Sequence, residues 1–357
     1  MLDTPLIYDL NLPAITDLLT SWGETAYRAR QVWQGLYVHF WNKPNRFTDL
    51  PVSLRTKLSE SLIFDAIEPV TILKSADKQT IKTLFRLRDG LAIEAVLMRY
   101  YSLIGSGRPR NTLCISTQVG CAMGCVFCAT GHMGFSRHLS SGEIVAQVLY
   151  FARLLNESNE KVTNVVVMGM GEPFHNYDNT LEAIDRLNHP YGFNFGARRF
   201  TISTVGLVPL IRRFTVENRQ VNLAISLHAA DDDLRTHMLP VNKKYPLNEL
   251  LAACFDYVTE TGRRVTFEWA LVRNVNDTQE QAHLLVSRLK GLLCHVNIIP
   301  LNPIFGYVGN ATTRHRAERF QDILTQAGIA CTIRLRRGID IQAGCGQLAV
   351  KDQTIER

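Results

Sequence analysis

Three cysteines lie close together at the spacing Cys121-x3-Cys125-x2-Cys128. A structural zinc site usually combines two Cys-x2-Cys halves, and this sequence has no second half. Three neighbouring thiolates can instead ligate three irons of a cubane iron–sulfur cluster and leave the fourth iron open. An S-adenosylmethionine bound there through its amino and carboxylate groups could accept an electron and fragment into a 5′-deoxyadenosyl radical.

Glycines surround the three cysteines and favour a tight, exposed loop over a packed turn of inert thiols. They are Gly120, Gly124, Gly131 and Gly134. The order Cys-x3-Cys-x-Phe-Cys resembles the signature of the radical S-adenosylmethionine superfamily, in which an aromatic residue commonly precedes the third cysteine. The resemblance implies that Cys121, Cys125 and Cys128 hold one 4Fe–4S cluster.

The composition of the 357-residue chain is that of an ordinary globular protein of about two domains. Lys and Arg number 39 against 33 Asp and Glu, a net charge of +6, which admits a nucleic-acid partner without requiring one. The N-terminal stretch carries acids and no base, and no apolar run reaches the ~18 residues of a membrane span. We therefore expect a cytoplasmic protein, without a membrane partner, whose cysteines are mostly reduced.

Three zones follow one another along the chain. Residues 1–75 show helical spacing of apolar residues and no strand alternation, which predicts a helical accessory domain. Its basic and aromatic side chains fit RNA binding or a simple solvated surface about equally well. Residues 76–110 are predicted to form a β-hairpin connector that turns at Asp89-Gly90.

The third zone, residues 111–350, alternates strand-like and helix-like segments, which predicts an α/β core with a parallel sheet. The predicted strands are 112–116, 164–168, 199–203, 221–227, 265–270, 295–299 and 330–335. The helical segments are 141–155, 178–188, 206–216, 246–260, 277–292 and 313–327. With the superfamily resemblance, this pattern implies a partial (β/α)6 barrel.

Polar or glycine-rich motifs follow several predicted strands at their carboxyl ends, where the loops of a barrel converge. They are Gly169-Met-Gly171-Glu172-Pro173, Ser203-Thr204, Ser226-Leu227-His228 and Asn302-Pro303. The glycines let backbone amides approach a ligand, and Glu172 could accept a hydrogen bond from an ammonium group. Each motif alone is weak, but their shared placement indicates one site.

Two further cysteines stand apart from the cluster loop. Cys114 lies within the first core strand, and Cys345 lies between Gly344 and Gly346 in a flexible loop that suits an exposed thiol. Together with Gly-Met-Gly-Glu-Pro, Ser-Leu-His and a terminal Cys-Gly-Gln-Leu, they make nearly the whole chain resemble the RlmN/Cfr family of radical RNA methyltransferases. The other cysteines, Cys254, Cys294 and Cys331, are expected to be core thiols.

The resemblance implies methylation of an adenine carbon in 23S ribosomal RNA, adenosine 2503, and in the RlmN branch also of adenosine 37 of tRNA. In this family one S-adenosylmethionine methylates a cysteine, which matches Cys345, and a second yields the radical that activates the S-methyl group. Cys114 matches the residue that resolves the covalent RNA adduct and finishes in a disulfide with Cys345. Glu94 matches a proton acceptor, although its strand context alone is compatible with a solvent-facing carboxylate.

The same resemblance assigns the cofactor contacts. They are Gly171, Glu172, Ser203, Ser226, Leu227, His228 and Asn302. It also implies an electron donor such as flavodoxin or ferredoxin. Basic doublets could follow RNA phosphates, although each alone is more often a solvated pair. The doublets are Arg198-Arg199, Arg212-Arg213, Lys243-Lys244, Arg263-Arg264 and Arg336-Arg337.

Gly344 departs from the family pattern, which usually has alanine before the carrier cysteine. Arg337-Gly338-Ile339-Asp340-Ile341 resembles the RlmN branch and favours methylation at C2 over the Cfr-type C8. Two other hypotheses stay open. A radical activase or maturase would use the cluster but leave Cys345 and Cys114 without a role, and a zinc-dependent RNA-binding protein would contain no iron.

Overall fold

The structure, a computed structural model, describes residues 4–101 and 109–350. Residues 1–3 of the predicted accessory domain and 102–108 of the predicted connector lie outside the described residues. The helices are α1 Leu12–Ser21, α2 Ala26–Tyr37, α3 Val52–Ser61, α4 Ala129–His132, α5 Ser141–Asn156, α6 Tyr177–Asn188, α7 Val208–Val216, α8 Asp232–Met238, α9 Leu247–Thr261, α10 Gln279–Leu289 and α11 Arg314–Gln326. The strands are β1 Ile67–Lys74, β2 Thr80–Leu87, β3 Ala92–Tyr100, β4 Arg110–Cys114, β5 Gln118–Gly120, β6 Phe135–His138, β7 Asn164–Val167, β8 Phe200–Thr204, β9 Asn222–Ser226, β10 Val265–Leu271, β11 Cys294–Pro300 and β12 Ala330–Ile333.

The N-terminal region folds as three helices around buried aromatic and aliphatic side chains, as the helical spacing predicted. Asn11 caps α1 by accepting a 2.9 Å hydrogen bond from the Ala14 amide, and Trp33 of α2 is fully buried. The region is fixed to the core where the Gly142 amide, at the start of α5, donates to Asp9 Oδ1 at 2.7 Å. This contact places a carboxylate at a helix N-terminus, where the helix dipole stabilises it.

One strand lies where the sequence predicted only helix. β1 pairs antiparallel with β2 at the edge of the sheet, and nearly all of its residues are exposed. Pro69 and a register shift between Pro69 and Thr71 interrupt its pairing. An exposed edge strand buries neither face, so it carries no alternation of apolar and polar residues. The helical prediction for residues 1–75 is therefore wrong over this segment.

The predicted hairpin is present as β2 and β3. Gly90 takes a positive φ of 86° in its turn, and the Leu91 amide donates to Asp89 Oδ1 at 3.0 Å. β3 continues antiparallel onto β4, so the hairpin extends the sheet of the core. This extension buries most of β2 and β3, and it explains why these strands are more apolar than a free-standing hairpin would be.

The core consists of six strand–helix units and a closing strand, in agreement with the expected partial (β/α)6 barrel. The sheet order is β1-β2-β3-β4-β7-β8-β9-β10-β11-β12, and from β4 onward every neighbouring pair is parallel. The order does not return to β1, so the barrel stays open. Parallel strands are covered by helices on the outside, which keeps Val165, Ile202 and Leu223 fully buried.

All the parallel strands point their carboxyl ends the same way, so the loops that follow them converge at one end of the barrel. The small antiparallel pair of β5 and β6 stands at this end and introduces the cysteine loop. Within the described part of the chain, no helix is long and apolar enough to cross a membrane.

Candidate active site

A cavity of about 960 Å³, which we call the inner cavity, opens at the carboxyl ends of the parallel strands. It is lined by most of the site residues that the sequence predicted. These are Cys121, Cys125, Cys128, Gly171, Glu172, Ser203, Ser226, His228, Asn302 and Cys345. The predicted residues that it does not include are Cys114, Glu94 and Leu227. Residues from six separate loops and strands therefore meet in one place, as convergence of the strand ends requires.

The loop with the three cysteines is held tight by its glycines. Gly120 has a positive φ of 72°, and a Cβ there would collide with the Gly134 carbonyl oxygen. The Cys121 amide donates to that same carbonyl at 2.8 Å, which closes the loop. At Gly131 a Cβ would lie 3.0 Å from the Cys125 carbonyl oxygen. A larger residue at either glycine would open the loop and separate the thiols.

The chemistry of this cavity fits an iron–sulfur cluster. Burial raises the pKa of Cys121 to about 12 and that of Cys125 well above its ordinary value, so free thiols here stay protonated unless cationic iron stabilises them. No three His, Cys, Asp or Glu side chains among the described residues converge on a point suited to one metal ion. In a cubane cluster the three cysteines bind three different irons and need not converge.

Glu172 ties two of the converging loops together. Its Oε1 accepts from the Phe174 amide at 2.9 Å, and its Oε2 accepts from the Val205 amide, beyond β8, at 2.8 Å. Burial raises the pKa of this carboxyl to about 7 despite these bonds. Both oxygens already hold backbone amides, so the expected bond to a ligand ammonium would have to share an oxygen with one of them.

His228 presents a neutral imidazole to the inner cavity. Its Nδ1 accepts from the Ala270 amide at 2.9 Å, which leaves the ring hydrogen on Nε2. Burial, with the nearby charge of Arg235, lowers the pKa of His228 to about 3. The residue has a positive φ of 60°, and the edge of the Phe127 ring packs against it. The imidazole is therefore a hydrogen-bond donor that keeps its tautomer at neutral pH.

Ser203 and Ser226, at the ends of β8 and β9, place their hydroxyl oxygens 3.4 Å apart in the cavity. Leu227 differs from them because its side chain is buried in the core. Its amide donates to the Glu268 carbonyl oxygen at 3.1 Å, and its carbonyl oxygen accepts from Arg235 Nε at 3.2 Å, so its backbone groups are already paired. The two serines thus form one polar edge on neighbouring strands.

The loop with Cys345 is fixed to the barrel by Asn302, whose Nδ2 donates to the Cys345 carbonyl oxygen at 3.0 Å. At Gly344 a Cβ would lie 2.6 Å from that Nδ2 and 2.8 Å from Gln347 Oε1. The glycine that departs from the family pattern is therefore required sterically in this conformation of the loop. Asn302 Oδ1 is buried, no described residue pairs with it, and it can accept a hydrogen bond from a ligand.

A second cavity of about 1070 Å³, which we call the outer cavity, shares Cys345 and Asn302 with the inner one. Cys114 lines it, which brings the two isolated cysteines together on one cavity. Both are free thiols in this structure. Burial raises the pKa of Cys114 to about 12, whereas Arg334 opposes the upward shift in the pKa of Cys345.

The outer cavity is strongly basic. Arg110, Arg334, Arg336 and Arg337 line it, and none of its lining residues within 4–101 and 109–350 is a carboxylate. The ring of Tyr100 also lines it, with the guanidinium carbon of Arg337 4.4 Å and that of Arg110 5.4 Å from the ring centroid. Cation–π contacts of this kind hold guanidinium groups in fixed positions. The arrangement suits a polyanion better than a neutral metabolite.

Glu94 lies apart from both cavities. Its Oε1 forms a 2.8 Å ion pair with Lys82 Nζ, and its Oε2 accepts from the Ala349 amide at 3.0 Å. Burial raises the pKa of Glu94 more than Lys82 lowers it. The carboxylate is buried, so the solvent-facing orientation that strand alternation allowed is wrong, because both faces of β3 are covered.

Sequence reasoning missed several residues of the site. Glu268, a buried carboxylate of the inner cavity, stands between the apolar Phe267 and Trp269, and its only signal was a charge inside an apolar strand. Tyr100 and Arg110 flank the end of the hairpin connector and gave no motif. The Arg336-Arg337 doublet was noted, but nothing in the sequence placed it beside Cys345.

Comparison with known families agrees with this architecture. Residues 115–286 match the radical SAM superfamily, and residues 6–63 match the N-terminal domain of ribosomal RNA large subunit methyltransferases. The chain is 48% identical to a crystal structure of a radical SAM methyltransferase from Sphaerobacter thermophilus, with a TM-score of 0.92 over 96% of this chain and 98% of that one. Fold and site therefore define a radical S-adenosylmethionine protein, for which the superfamily implies a 4Fe–4S cluster and S-adenosylmethionine.

Curated relatives narrow the family. A probable dual-specificity RNA methyltransferase RlmN of Chloroflexus aurantiacus is 47% identical over 96% of this chain and 92% of its own length. The dual-specificity RNA methyltransferase RlmN 1 of Myxococcus xanthus is 46% identical over 98% of this chain and 95% of its own length. The chain belongs to the RlmN family.

Proposed function

We propose that the protein is an RNA methyltransferase that places a methyl group on C2 of an adenine, in adenosine 2503 of 23S ribosomal RNA and adenosine 37 of tRNA. The position of Cys345 carries this proposal. Its thiol borders the inner cavity, with three clustered cysteines, and the basic outer cavity, with Cys114. A residue that receives a group in one cavity and delivers it to RNA in the other has to lie at such a boundary.

The inner cavity would hold the cluster on Cys121, Cys125 and Cys128. S-adenosylmethionine would bind against Gly171, Glu172, Ser203, Ser226, Leu227, His228 and Asn302. With these groups bound, the site supplies a methyl cation equivalent from one S-adenosylmethionine and a 5′-deoxyadenosyl radical from a second. His228 would donate from Nε2, and Asn302 Oδ1 would accept a ligand hydrogen.

Cys345 would act as the methyl carrier. Asn302 fixes the backbone of its loop, which keeps the residue between the two cavities. Rotation of the side chain could then turn the sulfur toward either cavity. Burial raises the pKa of Cys345, and the charge of Arg334 opposes that shift, which would favour the thiolate needed to accept the first methyl group. A carrier is necessary because an adenine ring carbon has no lone pair with which to attack a methylsulfonium.

Cys114 would release the product from the covalent adduct between Cys345 and the RNA. Its sulfur would attack the Cys345 sulfur, so that an S–S bond forms and the S–C bond breaks. The departing carbon keeps the electron pair of the broken bond and takes the proton that the Cys114 thiol loses, which completes the methyl group. The raised pKa of Cys114 keeps that proton on the thiol until the adduct forms.

We assign Glu94 the role of proton acceptor, which the resemblance to the family implies. Its carboxylate is held by Lys82 and by the Ala349 amide, so this role requires the segment at residue 349 to release it. The raised pKa of Glu94 suits a base that must also give the proton up again.

RNA would enter through the outer cavity, where four arginines and Tyr100 supply phosphate contacts and a stacking surface. The N-terminal helices would extend this interface as an RNA-binding accessory domain within residues 1–75, with 76–110 as connector and 111–350 as catalytic core. A one-electron donor such as flavodoxin or ferredoxin would reduce the cluster. The enzyme would work in the cytoplasm, beside ribosomes and tRNA.

The direct test is mass spectrometry of nucleosides from ribosomal RNA and tRNA treated with the anaerobically reconstituted enzyme. We expect 2-methyladenosine from both. Only 8-methyladenosine would show a Cfr-type reaction, and a protein that binds zinc but takes up no iron would refute the radical mechanism. Cys345→Ala should abolish RNA methylation, whereas the matched control Cys331→Ala, away from both cavities, should retain it. An activase would tolerate both substitutions.

A further inference from the structure

The carboxylate of Glu268 lines the inner cavity, and the roles given above do not explain it. Glu268 lies in β10 with 4% of its surface exposed, and it lines the inner cavity. Its Oε2 is buried and has no hydrogen-bond partner in the part of the chain that the structure describes. Leaving such an oxygen unpaired destabilises the folded protein. Its presence points to a partner that arrives with the ligand.

A ladder of polar side chains fixes the orientation of this carboxylate. Ser226, Glu268, Asn297 and Thr332 stand in register on the adjacent strands β9 to β12. Asn297 Nδ2 donates to Glu268 Oε1 at 3.2 Å, and Thr332 Oγ1 donates to Asn297 Oδ1 at 3.0 Å. The bond from Thr332 fixes the orientation of the Asn297 amide, so that Asn297 Nδ2 donates to Glu268 Oε1. Glu268 Oε2 then faces the cavity.

No cation in the described part of the chain neutralises Glu268 directly. Arg334 is close enough to lower the pKa that burial raises, yet the two residues form no salt bridge. Oε2 is therefore an acceptor whose hydrogen-bonding capacity no described residue satisfies, and a donor hydrogen from the ligand would satisfy it.

The neighbours of Oε2 indicate the chemistry of that donor. Ser203 and Ser226 place hydroxyls on the adjoining strands, so a row of oxygens runs across β8, β9 and β10. Leu239, Ala270 and Leu301 line other parts of the cavity and are apolar. A vicinal diol can donate to a carboxylate while it exchanges hydrogen bonds with serine hydroxyls, whereas an adenine ring is matched by apolar surface.

We propose that Glu268 Oε2 accepts a hydrogen bond from a ribose hydroxyl of S-adenosylmethionine in the inner cavity, and that Asn297 and Thr332 hold the carboxylate for this contact. The inference rests on the proposed function, since it presupposes that the inner cavity binds S-adenosylmethionine. It adds a specificity-determining residue, because a ligand without that hydroxyl would leave Oε2 unpaired.

The test measures equilibrium binding of S-adenosylmethionine and of its 2′-deoxy and 3′-deoxy analogues to the reconstituted holoenzyme without RNA. The wild type should bind at least one analogue about 10- to 100-fold more weakly than S-adenosylmethionine. Because RNA is absent, a ribose of the substrate RNA cannot produce this difference. Equal binding of all three ligands would overturn the inference without any variant.

Glu268→Gln gives the second measurement. Asn297 Nδ2 needs an acceptor, so the new amide should turn its oxygen to Asn297 and its nitrogen to the cavity, which replaces an acceptor by a donor. Binding of S-adenosylmethionine should weaken by about tenfold or more, and discrimination against the analogue should fall to within about threefold. The matched control Glu260→Gln, at an exposed position of α9, should change neither.

Thermal unfolding of the ligand-free protein separates a binding role from a structural one. Glu268→Gln should not lower the melting temperature, because Oε2 makes no hydrogen bond with the described residues that the substitution could remove. A lower melting temperature, or a variant that does not fold, would show that the carboxylate supports the fold and would refute the inference. If the wild-type holoenzyme does not bind S-adenosylmethionine at all, the proposed function itself fails. If Glu268→Gln binds S-adenosylmethionine and still discriminates against the deoxy analogue, only the role of Glu268 is rejected.

Discussion

Thr130 Oγ1 donates a 2.6 Å hydrogen bond to the carbonyl oxygen of Leu348. The bond joins α4, directly after the third clustered cysteine, to the segment directly beyond Cys345. A second link runs parallel to it, from the Ala129 amide to the Gly346 carbonyl oxygen at 2.7 Å. Two hydrogen bonds therefore join the loop that would hold the cluster to the loop that would carry the methyl group, although the two loops are far apart in the sequence.

Replacing Thr130 by Val should uncouple these loops. The buried Leu348 carbonyl would lose its partner, so the free energy of unfolding should fall by about 1–2 kcal/mol, and methylation of Cys345 should slow several-fold. Denaturant unfolding and mass spectrometry of the protein measure the two effects. Thr215→Val, which breaks a similar bond to Ile211 within α7, should lower stability and leave methylation unchanged. Equal methylation in all three proteins would contradict the coupling.

His228 should make stability depend on pH in the acid range. Its folded pKa is lowered to about 3, while an unfolded histidine titrates near 6.5, so between these values the unfolded state binds more protons. The contribution of His228 is therefore complete above about pH 6.5 and is lost as pH falls toward 3, at about 1.4 kcal/mol per pH unit. Denaturation of the ligand-free protein at several pH values measures this slope.

His228→Asn provides the comparison for that measurement. Asparagine tolerates the positive φ and can accept from the Ala270 amide through Oδ1, but it does not titrate. Between pH 4 and 6.5 the slope of unfolding free energy against pH should fall by about 1.4 kcal/mol per pH unit, the effect of one bound proton. An unchanged slope would mean that His228 is protonated in the folded state.

Arg337→Met should weaken RNA binding without affecting earlier steps. Arg337 lies over Tyr100, and its Nη1 is held by Gln79 Oε1, so its guanidinium is fixed at the outer cavity. Loss of one phosphate contact should weaken RNA affinity about 5- to 30-fold and reduce the salt dependence of binding by about one ion. Methylation of Cys345, which precedes the RNA step in our proposal, should continue at the wild-type rate. Arg314→Met, on exposed α11, is the control.

Gly171→Ala should disrupt the inner cavity. Gly171 has a φ of +101°, and a Cβ would lie 2.6 Å from the Gln118 side chain, so the loop has to shift. We expect binding of S-adenosylmethionine to weaken by more than tenfold, with a loss of stability of about 1–3 kcal/mol. Gly196→Ala, where φ is negative and a Cβ meets nothing within 4 Å, should be close to neutral in both assays. A wild-type affinity in Gly171→Ala would show that the loop adapts.

Local patterns in the sequence were sufficient to predict the features that depend on neighbouring residues. The spacing of Cys121, Cys125 and Cys128, the Asp89-Gly90 turn and the alternation of strands and helices each arise within a short window, where residue type and spacing determine the backbone. The convergence of strand-end motifs was also predictable, because all strands of a parallel sheet end on one side. β1 escaped prediction because an exposed edge strand carries no periodic signal.

Only the tertiary structure decided which distant residues share a cavity. Nothing in a local window places Cys114 and Cys345 on one cavity or leaves Glu268 Oε2 without a partner among the described residues, because these depend on how segments far apart in the chain pack together. The structure also explains why residue 344 is a glycine, since the Cβ of an alanine there would overlap the Asn302 side chain. The sequence by itself determined the reactive groups, and packing of the sheet determined which of them can meet.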